Sequence, residues 1–275
     1  MNSDVVVIRP PKGMASLDLK LLWQFRDLLR AFAERDIRLR YRQTVLGAAW
    51  VILQPLLGAG IFSIVFGMIA KLPTGGLPYF LISYAGFLSW TLVQGIVTRV
   101  SPSLLGNAPL IRKVFFPRLL APFGAVPSVL VDFVVALGLM VVLMIVYRVT
   151  PGWGILLMPL CLLILLLLSF GIALIASTLM VKYRDIQHIV PFGMQLLMYA
   201  SPVGYTIAVV PEKLRTWYFL ANPFAVPIDA VRSSLLGGAP ANLSWLAYSA
   251  VVSVVVFAIS LMVFHSYERE FADVI

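Results

Sequence analysis

The sequence predicts an all-α integral membrane protein that crosses the bilayer six times. Of its 275 residues, 61% are hydrophobic and only 12% are charged, and the mean hydropathy is +0.96. Such a chain has too little polar surface to cover a water-soluble globule. Apolar runs of about 20 residues recur along it, and each is long enough to cross roughly 30 Å of hydrocarbon as a helix. We therefore expect a single membrane domain over residues 1–275.

Six apolar runs account for the predicted crossings. We place them at residues 45–70, 79–100, 119–146, 155–180, 189–210 and 243–264, within a membrane region of residues 45–266. Four residues interrupt the fifth run: Pro191, Gly193, Pro202 and Gly204. In lipid, the backbone groups that such residues free must be satisfied by neighbouring protein or by water. The fifth run therefore predicts a span followed by a re-entrant or broken helix.

A helix is also predicted ahead of the first span, over residues 16–44. Its apolar residues, among them Phe25, Leu28 and Phe32, recur at helical spacing on one face, and the opposite face is mostly basic. This pattern is typical of a helix that lies in the membrane interface with its apolar side among acyl chains. The alternative is an amphipathic helix that packs on a partner. Because the first long apolar run begins only near Val45, we expect no cleaved signal peptide.

The positions of lysine and arginine predict the orientation, since basic loops resist translocation. With both termini in the cytoplasm, sixteen of the 21 basic residues fall on the cytoplasmic side and five fall outside. The polar stretch 101–118 then protrudes into the cytoplasm. The asymmetry agrees with an even number of spans.

Several classes of function are disfavoured. The net charge of +9 comes from basic residues at the ends of apolar runs rather than from a patch with exposed aromatics, which argues against nucleic-acid binding. The single cysteine, Cys161, lies in an apolar run and has no disulfide partner within the chain. His188 and His265 lack metal-ligand spacing, so we expect no metal site. No serine has a G-x-S-x-G setting, and we expect no catalytic residues.

Energy coupling must come from outside the chain if ATP is used. No G-x-x-x-x-G-K-[ST] motif occurs, so another subunit would bind ATP and its magnesium ion. Asp132 is the only carboxylate deep in an uninterrupted predicted span, and no second acid or histidine stands near it in sequence for a proton relay. Its role, structural or functional, stays open at this point.

Aromatic residues near the ends and centres of spans form a candidate glycan pathway. Interfacial belts of aromatic residues are one explanation for them. A path lined by rings is the other, because sugars stack their C–H faces on aromatic rings while their hydroxyls stay wet. The candidates are Trp50, Phe62, Phe66, Tyr84, Phe87, Trp90, Tyr199 and Tyr205.

Five local patterns, in this order, resemble one known family. They are RDIRLRYRQTVLGAAWVILQPLL at 35–57, NAPLIRKVFFPRLLAP at 107–122, KYRDI at 182–186, SPVGY at 201–205, and NPF at 222–224 with the later Arg232. Together they resemble the permease subunits of bacterial polysaccharide ABC exporters of the O-antigen, capsule and teichoic acid type, within the ABC-2 superfamily. The resemblance extends over nearly the whole chain.

The resemblance implies a homodimer of this chain bound to two cytoplasmic ATPase subunits. It implies that residues 101–118 contain the coupling helix that contacts each ATPase, although an ordinary basic loop would have the same composition. It also implies that residues 201–240 form the re-entrant helices of an outer gate and that the 16–44 helix is an interface helix. The coupling residues would be Asn107, Leu110, Ile111, Arg112, Lys113, Phe115 and Phe116.

The implied function is export of a lipid-linked polysaccharide across the bacterial inner membrane, with no enzymatic activity in this chain. Arg38, Arg40 and Arg42 could contact the lipid phosphate, although the positive-inside rule also explains them. Two alternatives remain open. One is a permease of the same architecture for a small lipid or drug. The other is a proton-coupled secondary carrier, which should contain more embedded acids than Asp132.

Overall fold

The computed structural model describes residues 23–42, 49–114, 116–238 and 242–268, and the side chains of residues 39–42 lie outside the description. Within these ranges all regular structure is helical. A π-helical segment, Ser63–Ile69, extends the second helix. The α-helices are α1 Arg26–Arg42, α2 Ala49–Phe62, α3 Tyr79–Val100, α4 Ser103–Gly106, α5 Ala108–Ile111, α6 Leu120–Val146, α7 Met158–Lys182, α8 Ile186–Ala200, α9 Glu212–Ala221, α10 Ala225–Leu236 and α11 Leu243–Tyr267.

Five of the described helical runs are long and apolar enough to cross a membrane. They correspond to five of the six predicted spans, and they make the chain a multi-pass membrane protein. The runs are Ala49–Ile69, Tyr79–Val100, Leu120–Val146, Trp153–Lys182 and Leu243–Tyr267.

The predicted span at 189–210 corresponds to α8, which has only 15 residues. This helix ends at Ala200, and Ser201 is extended with φ −102° and ψ 154°. The cause is local, because the ring of Pro202 clashes with a helical conformation at the residue before it. After this break, the chain continues as irregular structure and the shorter helices α9 and α10.

The two ends of the helix bundle carry different structures. We call the end that holds residues 101–118 the proximal end and the end that holds residues 72–78 and 147–152 the distal end. At the distal end, the turn from α2 into α3 has positive φ at Lys71, Gly75 and Gly76. Glycine adopts this left-handed region at little cost, which explains two of the three residues.

Helix α3 is the centre of the bundle and α2 lies at its edge. In the most apolar stretch of α3, 78% of the residues are buried, whereas the corresponding share in Ala49–Ile69 is 11%. Helix α3 packs against α2, α6, α7, α8 and α10. Its Tyr84 is fully buried and donates a hydrogen bond to the Ala136 carbonyl of α6 at 2.9 Å.

Helix α10 is almost entirely buried, although it is too short to cross a membrane. It packs against α3, α7 and α11. At the distal end, the Gly152 amide donates to the Ser234 carbonyl at 3.2 Å. Helix α10 therefore runs from inside the bundle outward to the distal end.

The close approach of α3 to residues 201–205 requires a glycine at position 86. A Cβ atom there would overlap the Val203 carbonyl oxygen, which belongs to the backbone and cannot rotate away. We therefore expect Gly86→Ala to lower the free energy of unfolding by about 1–3 kcal/mol, the usual cost of overpacking. Thermal unfolding of the purified protein in detergent measures this change.

Gly138→Ala is the matched control, because a Cβ on this α6 residue meets no described atom within 4 Å. The midpoint temperature of its thermal unfolding should stay the same or rise slightly, since alanine is the better helix former. Equal midpoints for the two variants would show that residues 201–205 do not press against α3.

Candidate functional site

The proximal segment, residues 101–118, is folded around Asn107. Helices α4 and α5 meet at this residue, which is 6% exposed. The Asn107 Nδ2 donates to the Ser103 carbonyl at 2.8 Å and so fixes the bend between the two helices. Arg112 and Lys113 are exposed beyond α5, whereas Phe116 is buried. Leu110 and Ile111 are half-buried, and Phe115 lies outside the described residues.

Helix α1 packs on this segment. The Phe32 and Phe116 rings lie 5.7 Å apart between centroids, and both contact Leu120 at the start of α6. The Arg35 Nη1 donates to the Asn107 Oδ1 at 2.8 Å. The sequence predicted that the apolar face of this helix lies among acyl chains. In the structure that face covers the proximal segment and α6 of the same chain.

The three arginines proposed as phosphate contacts lie at the end of α1. Arg38 is exposed, and its Nη2 is 3.1 Å from the Glu34 Oε2 one turn earlier. Exposed ion pairs of this kind contribute little to stability, so Arg38 stays accessible to another anion. The side chains of Arg40 and Arg42 lie outside the described part.

Five of the eight aromatic candidates meet near the distal end, and we call them the aromatic cluster. The Phe62 ring is central, with centroids 5.2 Å from Phe87, 5.4 Å from Phe66 and 6.3 Å from Tyr199. The Phe66 and Tyr205 rings are 6.4 Å apart. The cluster extends from buried Phe87 to Tyr199, which is 56% exposed.

The other three aromatic candidates lie elsewhere. Tyr84 and Trp90 are core residues of α3 that are 0% and 1% exposed, so they line no open path in this conformation. Trp50 is exposed at the proximal end of α2. Tyr218, in α9, is a further aromatic residue close to these rings. Its hydroxyl lies 3.3 Å from that of Tyr205, so it borders the cluster.

Arg232 holds residues 202–205 from inside the bundle. It is 3% exposed. Its guanidinium donates to the carbonyl oxygens of Ile82 at 3.2 Å, Val203 at 2.9 Å and Tyr205 at 2.8 Å, and also to that of Pro202. The Asp229 carboxylate, one turn earlier in α10, accepts a further bond at 2.8 Å. Arg232 thus satisfies carbonyls that the broken helix leaves without partners.

Asn222 fixes the start of the same segment. Its Nδ2 donates to the Ala200 carbonyl at 3.1 Å and to the Ser201 hydroxyl at 2.9 Å. Its Oδ1 accepts from the Phe224 amide at 3.1 Å. Apart from Phe224 and Asp229, the partners of Asn222 and Arg232 lie 21 to 150 residues away in the sequence. The sequence indicated these two residues only as parts of a family pattern, because single polar residues give no sign of such distant partners.

The comparison with protein families decides the assignment. The profile of the ABC-2 type transporter matches residues 27–236. This chain belongs to the ABC-2 type transporter family. The matched range contains most of α1, the proximal segment, the aromatic cluster and Arg232, and it leaves out only α11 among the described helices.

Individual relatives match this ABC-2 transporter over most of its length. The O-antigen export system permease protein RfbA of Klebsiella pneumoniae is 28% identical over 253 residues, which cover 90% of this chain and 95% of the relative. RfbA of Myxococcus xanthus is 29% identical, with coverages of 92% and 96%. The polysialic acid transport protein KpsM of Escherichia coli is 23% identical, with coverages of 86% and 91%.

Removing the Arg232 charge should destabilise this ABC-2 transporter more than removing an exposed one. We expect Arg232→Gln to lower the free energy of unfolding by about 3 kcal/mol, because Asp229 and several carbonyls lose their donor in a dry interior. Thermal unfolding in detergent measures the loss. Lys213→Gln, on the exposed surface of α9, is the control and should be neutral. A variant of Arg232 as stable as that control would contradict the structural role.

Proposed function

We propose that this chain is the transmembrane permease of an ATP-driven exporter that moves a lipid-linked, O-antigen-like polysaccharide out of the cytoplasm. The observation that carries the proposal is the agreement among relatives. Those that match nearly the whole chain are permeases of O-antigen export, and a more distant one transports polysialic acid. The chain itself would hydrolyse no ATP and would hold no cofactor.

In the proposed arrangement, α8 and the residues after it form the fifth of six crossings, and α11 forms the sixth. Helices α9 and α10 enter and leave at the distal end as re-entrant helices of an outer gate at residues 201–240. The burial of α10 supports this arrangement, and so do the Arg232 contacts, because irregular backbone is tolerated at membrane depth only where protein or water satisfies it. With six crossings, both termini and the proximal segment would lie on the same side of the bacterial inner membrane, and the excess of basic residues there favours the cytoplasmic side.

The proximal segment is the proposed contact with a nucleotide-binding ATPase. Exposed Arg112 and Lys113, beside half-buried Leu110 and Ile111, provide a basic and partly apolar surface. Helix α1 would lie at the membrane interface. Through the bond between Arg35 and Asn107 it would hold this surface at a fixed height relative to the membrane. Arg38, Arg40 and Arg42 near its end are the proposed contacts for the phosphate of the lipid carrier.

Two copies of the chain would enclose the conduit and bind two ATPase subunits. Helix α2 supports this stoichiometry, since it is by far the least buried of the five long runs. Its exposed face carries large apolar side chains that a second copy could cover, including Trp50, Leu57 and Ile61. The aromatic cluster borders the same helix, so it would line the distal part of the conduit.

Deletion of the gene should remove the polysaccharide from the cell surface and leave lipid-linked glycan inside the cell. Re-expression of the wild-type chain should restore the surface glycan, as judged by gel analysis of surface and cytoplasmic fractions. Normal surface glycan in the deletion strain would refute the function.

The purified complex gives an independent check on energy coupling. The chain alone in lipid should show no ATP hydrolysis, whereas co-expression with its ATPase should yield a complex of two copies of each. Transport by the chain alone would contradict the proposed division of labour.

Replacing a ring of the aromatic cluster should slow export without loss of stability. Tyr199→Leu removes an exposed ring that would stack on sugars, and a stacking contact is worth about 0.5–1.5 kcal/mol. We therefore expect export to fall by roughly threefold to tenfold. Pulse-chase labelling of surface glycan measures the rate.

Trp153→Leu is the control, because this ring is 93% exposed near the distal end and touches no ring of the cluster. It should leave the rate unchanged. If both variants slowed export equally, the rings would act as a membrane belt rather than as a glycan path.

A further inference from the structure

An ion pair joins two membrane-spanning helices in the interior of the bundle. The Arg99 Nη2, near the end of α3, pairs with the Asp132 carboxylate of α6. The Arg99 Nη1 also donates to the Ser128 hydroxyl at 2.8 Å. The two charged side chains are only 24% and 13% exposed. Burying a charged side chain at membrane depth costs free energy, and such residues are found there mainly as pairs. The two charges therefore hold α3 and α6 in one relative position.

The ion pair joins the two helices that flank the proximal segment. Helix α3 leads into residues 101–118 and α6 leads out of them. Asp132 lies twelve residues after the first residue of α6, or about 18 Å along the helix at 1.5 Å per residue. The pair therefore ties the last turn of α3, which is next to the segment, to a point well along α6. One turn before Arg99, an ideal Cβ on Gly95 would be 2.7 Å from the Val129 Cγ1, so the two backbones approach closely.

Helix α2 packs against both α3 and α6 but is separated from them at the level of the ion pair. A cleft of about 190 Å³ separates α2 from the ion pair, and its lining includes Gln54 of α2 and Thr91, Gln94 and Thr98 of α3. The cleft is large enough for several waters, and its polar groups offer them partners. Helices α3 and α6 are thus joined by charged side chains, whereas α2 contains no charged residue that could pair with either of them.

We propose that Arg99 and Asp132 are positioning residues that make α3 and α6 move as one rigid unit when an ATPase displaces the proximal segment. This inference rests on the proposed function. A segment held between two independent helices would absorb a displacement by bending. When the helices are braced by the ion pair, the same displacement moves both of them past α2.

The test combines loss of the ion pair with a covalent replacement for it. Asp132→Asn in the complete complex with its ATPase should lower glycan export by at least about tenfold, while ATP hydrolysis stays within about twofold of wild type. In that background, Gly95→Cys with Val129→Cys provides a disulfide, since the two Cβ atoms would be 3.8 Å apart, within the range that disulfides need. Oxidation should restore export, and reduction should abolish it again.

Thr91→Val is the matched control. This residue lines the same cleft, but its hydroxyl bonds only within α3, to the Leu88 carbonyl at 2.8 Å. Its export should equal that of wild type. Wild-type export by Asp132→Asn would overturn the proposal, and so would a parallel fall in export, hydrolysis and folded protein that the disulfide does not reverse.

Failure of the proposed function has a different signature. In that case the wild-type complex moves no glycan at all. The rate of disulfide formation at 95 and 129 then still tests the brace. With the ion pair intact the rate should not change when ATP is added, whereas in the Asp132→Asn background it should. An ATP-dependent rate in the presence of the ion pair would overturn the brace by itself.

Discussion

The requirement that every backbone polar group find a partner in the absence of water governs this protein. Long helices meet it within themselves, but the chain gives up helical structure after Ala200. The Arg232 guanidinium takes over the role of water there and binds four carbonyl oxygens from two distant parts of the chain. Burial of a cation is costly on its own, and Asp229 offsets part of that cost. The irregular segment therefore depends on Arg232, together with Asn222 at its start.

The bundle separates two kinds of polar chemistry. At the proximal end, Arg35 and buried Asn107 fix the fold of a segment that exposes the basic residues Arg112 and Lys113. At the distal end, the polar side chains of Asn222 and Arg232 point inward and bind backbone, and the aromatic cluster packs beside α2. Between the two ends, the pair of Arg99 and Asp132 is an interaction between side chains of different spans. In the proposed function, the ATPase contact and the substrate contact would lie at opposite ends of the same helices.

The sequence predicted well those features that depend on composition and local spacing. Five spans lie where their apolar runs placed them, since about 20 apolar residues have no other stable arrangement in a bilayer. The aromatic set was predicted less well, because its members share a residue type but not an environment. Tyr84 and Trp90 are buried in the core of the bundle around α3. Five of the eight rings lie in one cluster.

By itself, the sequence determined that this protein resides in a membrane, that it is helical and which family it resembles. These properties depend on hydropathy and short motifs, which extend over only a few turns of helix. The tertiary structure decided where α8 stops, what α1 covers and which side chains satisfy the broken backbone. Asp132 illustrates the difference. Its charge in an apolar run required a partner, but Arg99 stands 33 residues away, and only the packing of α3 against α6 brings the two together. Contacts of this kind depend on the path of the whole chain, which no local pattern records.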